Sequence, residues 1–179
     1  VSFSETVTAK STQECLAKSS NKLNRLKFTA EPLDENTIKA IDDGTLEKEG
    51  TNKARASLLS REYGWNKVEA QRILGYGPEN TGPNVVVNTT SGISYLNEAE
   101  GYITSEFSSG VAAHGILCAE PLRGVRFNLI DAKLHPDSNH RGPSQICTPT
   151  RRAMHGAQLC ARPRIMEPWY LVEIECPFS

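Results

Sequence analysis

Long hydrophobic runs are missing from this 179-residue sequence, and a membrane-spanning helix needs about 20 consecutive apolar residues. No membrane partner is expected. An excess of either charge is missing too, since 20 Lys and Arg stand against 21 Asp and Glu for a net charge of −1. A protein that coats nucleic acid with its whole surface carries a strong basic excess, so any such contact must be local. Paired cysteines are absent: Cys15, Cys118, Cys147, Cys160 and Cys176 are odd in number, widely spread, and form no C-x-x-C. That is no disulfide framework, and it fits a reducing compartment. With no basic-then-apolar leader and no initiator Met before Val1, the chain reads as a cytoplasmic piece of something longer.

What is present suits a packed domain. Hydrophobic residues make up 38% of the chain, and 13 glycines bring the apolar share to the usual range of a soluble fold. Leu26, Phe28 and Ala30 alternate with Lys27 and Thr29, which predicts a half-buried strand stopped at Pro32. Asp34 is placed to cap a helix carrying Ile38 and Ile41, with Gly44 as its left-handed stop. A second helix is expected from Thr51 to Tyr63, closed by Gly64. A turn over 77–84 feeds the strand Val85-Val86-Val87.

The clearest helical spacing is Tyr95, Leu96, Ala99, Ile103, Phe107 and Val111, with Ser94 as the expected cap and Gly115 as the expected end. Along 123–135, Val125, Phe127 and Leu129 share one phase while Ile130, Ala132 and Leu134 share the other. A bulge near Leu129-Ile130 would reconcile the two sets, because one inserted residue restores the alternation. Residues 135–144 contain no large aliphatic or aromatic side chain and should project into solvent. Thr148-Pro149 reads as a helix start, and Tyr170, Val172, Ile174 and Cys176 as a last strand. The order β-α-α-β-α-β-α-β is α+β.

Nucleotide or metal binding, nucleophilic catalysis and recognition compete for the polar residues. Gly77-x4-Gly82 has the glycine spacing of a phosphate loop, but Pro83 and Asn84 occupy the positions that need Lys and a hydroxyl, so no nucleotide is bound that way. His135 and His140 lack the paired cysteines of a zinc site, and no metal is expected. Cys147 with His140 would be a nucleophile pair, since a thiol needs an adjacent base, yet neither oxyanion donors nor an orienting residue stand out. Recognition is the third option. Lys18, Lys22, Arg25 and Lys27 fall in an acid-free stretch interleaved with Ser19, Ser20, Asn21 and Asn24. Such point charges and amides can grip a sugar-phosphate backbone without reading bases.

Leu134-His135-Pro136-Asp137-Ser138-Asn139-His140-Arg141-Gly142-Pro143-Ser144-Gln145 closely resembles the tip loop of the translation elongation factor 2 family of eukaryotes and archaea. Lys18-Ser19-Ser20-Asn21-Lys22-Leu23-Asn24-Arg25 is similar to that family's second tip loop, and Val1-Ser2-Phe3-Ser4-Glu5-Thr6-Val7 to the entry of its fourth domain. Gly77-Pro78-x3-Gly82-Pro83-Asn84, Tyr95-Leu96-Asn97-Glu98, Arg123-Gly124-Val125-Arg126-Phe127, Pro149-Thr150-Arg151-Arg152 and Pro163-Arg164-Ile165-Met166-Glu167-Pro168 follow in the same order. Where eukaryotic members carry three glycines after His-Arg, this chain has Gly142-Pro143-Ser144, and Leu23 stands where a His is common.

The resemblance implies a domain IV over 1–163 and the start of domain V over 164–179. It implies an α+β fold whose mixed sheet has helices on one face and contains a left-handed βαβ crossover. Its parent would be a GTP-dependent ribosomal translocase. The GTPase domain with its GTP and Mg²⁺ would lie outside this fragment, which is then no enzyme and holds no cofactor. The tip would enter the ribosomal A site and meet the decoding-centre RNA and the tRNA–mRNA duplex. His140 would be the residue converted to diphthamide by its synthesis enzymes, and the acceptor of ADP-ribose from diphtheria-type toxins. Asp137, Ser138, Asn139, Arg141 and Gly142 would share the contact, with Lys18, Ser19, Asn21, Lys22 and Arg25 from the neighbouring turn. A spliceosomal translocase-like paralogue is the alternative parent, and a Cys/His hydrolase the alternative of another class.

Overall fold

Alternating apolar residues build the centre of the molecule. The computed structural model describes residues 2–176. Val1 of the entry motif, and 177–179 of the expected second domain, lie outside the described residues. Strands β1 (Ser4–Val7), β2 (Cys15–Lys18) and β3 (Arg25–Pro32) precede helices α1 (Glu35–Asp42), α2 (Asn52–Glu62) and α3 (Lys67–Gln71). There follow β4 (Ile73–Gly77), β5 (Asn84–Asn88) and α4 (Leu96–Glu106), which runs into one π turn at Phe107–Val111. The chain continues through β6 (Val125–Lys133), a 3-10 turn at Ser138–His140, α5 (Pro143–Leu159) and β7 (Pro163–Met166). Five strands form a mixed sheet in the order β2-β3-β6-β5-β4, in which only β5 and β6 run parallel, while β1 pairs with β7 apart. The fold is α+β.

Two cores share the sheet. Leu26, Phe28 and Ala30 of β3 and Val125, Phe127 and Leu129 of β6 meet Ile103, Phe107, Ile146 and Met154 on the face covered by α4 and α5. Side chains alternate across a strand, so Val86 of β5 joins that core while Val85 and Val87 face the other way. There they pack with Ile41, Leu59, Trp65 and Ala70 of a three-helix lobe built from α1 to α3. The helices expected on one face are α4 and α5, and the lobe adds a second layer behind the β4–β5 edge. Arg126 of β6 ties the lobe down by lying over the Trp65 ring at 4.8 Å and pairing with Glu69 at 2.7 Å.

The bulge in β6 has the expected place, but Ile130 itself stays outside the core. Phe28 pairs with Leu129 but Lys27 with Asp131, so Ile130 is the extra residue, and Ala132 and Leu134 return to the core. The expected Asp34 cap is present, accepting from Thr37 N at 2.9 Å, and Thr51 also caps its helix, accepting from Ala54 N at 3.2 Å.

Four expectations are corrected. The last strand does not form: 167–176 has no regular structure, Trp169, Leu171 and Ile174 are exposed, and among the described residues no strand pairs with the segment. Strand pairing at this end belongs to Pro163–Met166, which lies antiparallel to β1. Helix α5 starts at Pro143, not Pro149. Pro143 takes the first helical position, where a missing N–H costs nothing, and Pro149 sits inside the helix. Ser94 does not cap α4, whose N-cap is Tyr95 in the left-handed region at φ 64°. The helix does not run on to Gly115 either, since it passes into the π turn at Phe107–Val111.

A buried carboxylate organises the region beyond that turn. Glu5 of β1 accepts from the backbone N–H groups of Leu117 (2.9 Å), Cys118 (2.8 Å) and Glu120 (3.3 Å) and from Gln158 Nε2 (3.0 Å). The carboxylate is fully enclosed. A buried charge is tolerated only when so fully hydrogen-bonded. Gly115 is glycine because a Cβ there would strike it.

Candidate nucleic-acid interface

The two polar loops singled out in the sequence lie side by side. One joins β2 to β3 (19–24), and the other joins β6 to α5 (134–142). The first is a tight turn, with Lys22 N donating to Ser19 O at 2.9 Å and Ser19 N to Asn24 O at 3.0 Å. Its bend needs Lys22 at φ 62°, a conformation that costs a non-glycine residue about 1 kcal/mol or more. Asn21 Oδ1 supports the bend by accepting from Leu23 N at 3.0 Å.

Asparagine amides join the loops. Asn24 Nδ2 donates to the His140 carbonyl at 2.8 Å, and Asn21 Nδ2 donates to the same oxygen at 3.1 Å. Asn24 Oδ1 in turn accepts from His135 N at 3.0 Å, and Gln145 Oε1 from Asn21 N at 3.0 Å. The backbone at His140 is therefore held from behind while its side chain stays about half exposed. The ring stands edge-on to His135, centroids 4.8 Å apart, with Nε2 3.8 Å from the Asp137 carboxylate. Asp137, Ser138 and Asn139 are exposed beside it, and Gly142 is half-buried.

Arg141 is turned inward, only 6% exposed. Its guanidinium donates to the carbonyls of His135 and Pro136, pairs with Glu98, and lies over the Tyr95 ring at 4.5 Å. A planar fork of donors suits this double grip. Ser19 is enclosed as well, donating to Asn21 Oδ1. Among the expected contact residues, then, Arg141 and Ser19 shape the loops, while Lys18, Lys22, Arg25, His140 and its three predecessors face outward.

The strand register reveals a charge cluster that sequence spacing hides. Lys18 lies opposite Arg25, and Arg25 opposite Lys133. Directly opposed residues project from one face about 5 Å apart, and like charges so placed repel. All three are exposed. Among the described residues none of the three is within ion-pair reach of a carboxylate. Such a row persists at a cost that an approaching phosphate backbone would relieve. Lys27 differs, because Glu14 holds its ammonium at 2.9 Å and pushes its pKa up. Beside the row, Lys18, Ser19, Ser20, Lys22 and Arg152 of α5 line a shallow groove.

Asn24 as a bridge, Gln145, Lys133 and Arg152 carry parts of this surface that the sequence reading did not assign to it. Lys133 could have been found by following the bulge: it falls out of phase with Ala132 and Leu134, hence on the solvent face.

The rival chemistry finds less support. Cys147 donates to Tyr102 O at 3.8 Å, and burial together with the neighbouring Glu106 pushes its thiol pKa up, against thiolate formation. His135 Nδ1 accepts from Asp137 N at 3.1 Å. In the glycine turn after β4, Asn84 Nδ2 donates to Gly77 O (2.8 Å) and Leu122 O (2.6 Å), which makes the turn a packing feature. A family model described as elongation factor G, domain IV, matches residues 33–162. The match includes the His140 loop and leaves the 19–24 turn outside it.

Proposed function

The chain belongs to the elongation factor G domain IV family, that of a translational translocase domain, and on that premise we propose that it is the tip domain of a factor of the elongation factor 2 branch. Its tip would enter the ribosomal A site and hold the tRNA–mRNA duplex during translocation. The observation that carries this reading is the His140 ring, presented outward from a backbone that Asn21 and Asn24 clamp. A-form RNA offers a wide minor groove of 2′-hydroxyls and backbone, not a readable base code. A cationic extension on an exposed imidazole, flanked by the Lys18–Arg25–Lys133 row, suits such codon-independent contact.

In this reading His140 is the diphthamide residue and the ADP-ribose acceptor of diphtheria-type toxins. Residues 164–179 open domain V, the fragment itself is no enzyme and needs no cofactor, and GTP and Mg²⁺ belong to the parent's GTPase domain. The parent works in the cytoplasm. Protein purified from a host with the diphthamide pathway, treated with toxin and NAD, should take up one ADP-ribose at His140, and His140→Ala should take up none. Labelling at another residue, or none on protein whose intact mass shows the modification, would overturn the assignment. Co-sedimentation of the full-length parent with ribosomes, not spliceosomal particles, separates this parent from the paralogue.

A further inference from the structure

Two of the five cysteines meet although 145 positions separate them in the chain. Cys15 opens β2, and Cys160 caps the end of α5, with their sulfurs 3.8 Å apart. Backbone contacts already bring these segments together. Thr12 N donates to Cys160 O at 3.1 Å, and Ser11 Oγ donates to Ala157 O at 2.8 Å. Gly156 allows the approach, since a Cβ there would lie 3.4 Å from Cys15 Cβ. Both thiols are partly exposed. Cys15 Sγ lies within reach of both Cys160 Sγ at 3.8 Å and the Gln13 carbonyl at 3.9 Å, and Gln13 Nε2 donates to Cys160 Sγ at 3.5 Å. The Gln13 amide thus donates to Cys160, while burial and its bond to Cys160 push the Cys15 thiol up to about 11. The roles are unequal: Cys160 is placed to attack, and Cys15 to resolve.

We propose that Cys15 and Cys160 form a peroxide-responsive thiol pair that closes to a disulfide between β2 and α5. The chemistry balances with hydrogen peroxide as the named oxidant. The Cys160 thiolate attacks one peroxide oxygen, the O–O bond breaks, and Cys160 becomes a sulfenic acid as hydroxide leaves. Cys15 sulfur then attacks the Cys160 sulfur. The S–O bond breaks, the S–S bond forms, and the departing hydroxide takes the Cys15 proton to leave as water. The proton first released by Cys160 neutralises the earlier hydroxide. In sum, two thiols lose two electrons and two protons, and one peroxide becomes two waters. The sulfurs must close from 3.8 Å to a bond of about 2.05 Å. The bond would fasten the strand that carries the 19–24 turn to the helix behind it, so an oxidant would stiffen one side of the tip.

The test uses the whole chain, exposed to hydrogen peroxide and then alkylated. Before alkylation the intact mass should fall by two hydrogens, alkylation should then add two fewer groups than on reduced protein, peptide mapping should join Cys15 to Cys160, and dithiothreitol should reverse these changes. Cys15→Ser should stop at a Cys160 sulfenic acid that a dimedone probe traps, and Cys160→Ser should leave Cys15 largely unreacted. Because both variants keep a polar group of similar size, a far-ultraviolet circular dichroism spectrum matching the parent's confirms that they are folded. A crosslink to Cys118, Cys147 or Cys176, no crosslink at all, or equal peroxide reactivity of Cys15 in the Cys160→Ser variant would each overturn the proposal.

Discussion

Arg141→Ala isolates what the inward-facing guanidinium does for the tip. Its loss leaves the His135 and Pro136 carbonyls without a charged donor, at about 1–1.5 kcal/mol each. The stacking on Tyr95 at 4.5 Å contributes about 0.5–1 kcal/mol. The Glu98 pair adds at most about 1 kcal/mol, since the Glu98 side chain is 52% exposed. The sum is about 3 kcal/mol, and for a chain of this length each kcal/mol shifts Tm by about 2–4 °C, so a fall of about 6–12 °C is expected. Arg141→Lys keeps the charge but loses the fork, and should recover only about a third of that. Glu98→Gln should cost less than about 1 kcal/mol. Thermal unfolding followed by circular dichroism measures all three, and hydrogen exchange should show faster amides over 135–141 in the Ala variant. If Arg141→Ala costs less than about 1 kcal/mol, or Lys replaces Arg without loss, the guanidinium is not the strut described here.

Three further perturbations probe other parts of the frame. Glu5→Ala should cost about 3 kcal/mol or more, because four donors lose their acceptor at a fully buried site; unchanged hydrogen exchange at Leu117 and Cys118 would refute the pinning. Asn24→Ala should cost about 2 kcal/mol in urea unfolding and speed exchange of the His135 amide, whose acceptor is lost; an unchanged rate there would mean the loops are not joined through this side chain. His155 is half-buried, and burial holds its pKa below the ordinary 6.5. The folded state therefore binds fewer protons than the unfolded chain just below that value, and stability should fall as pH drops from about 7 toward 5. His155→Gln should flatten that slope, and equal slopes in the two proteins would show that His155 does not contribute.

Local chemistry made part of the fold legible. Asp34 caps its helix because a short polar side chain before an amphipathic run has one obvious partner, and the β6 bulge follows from a change of apolar phase. β4 escaped notice because it is five residues long with two glycines, Gly75 and Gly77, and its strand character comes from pairing with β5. Helix α3 has only five residues, too few for a period to show. The segment 170–176 has the alternation of a strand but pairs in no sheet among the described residues, and pattern alone cannot supply strand pairing. At the tip, the loop residues stood out by composition, but the inward turn of Arg141 did not. Its partner Glu98 lies on α4 and its stacking partner Tyr95 just ahead of it, and such contacts are set by tertiary packing that no spacing encodes.

Because Val86 looks one way while Val85 and Val87 look the other, the middle strand of the α1–α3 attachment acts as a partition wall. A bulky reporter on the outer surface of that lobe, for instance at exposed Lys48 or Lys53, sits on the side of the sheet whose core is separate from the one beneath the tip loops. A fluorophore placed there could follow the tumbling of the molecule while leaving the His140 and Asn24 loops untouched.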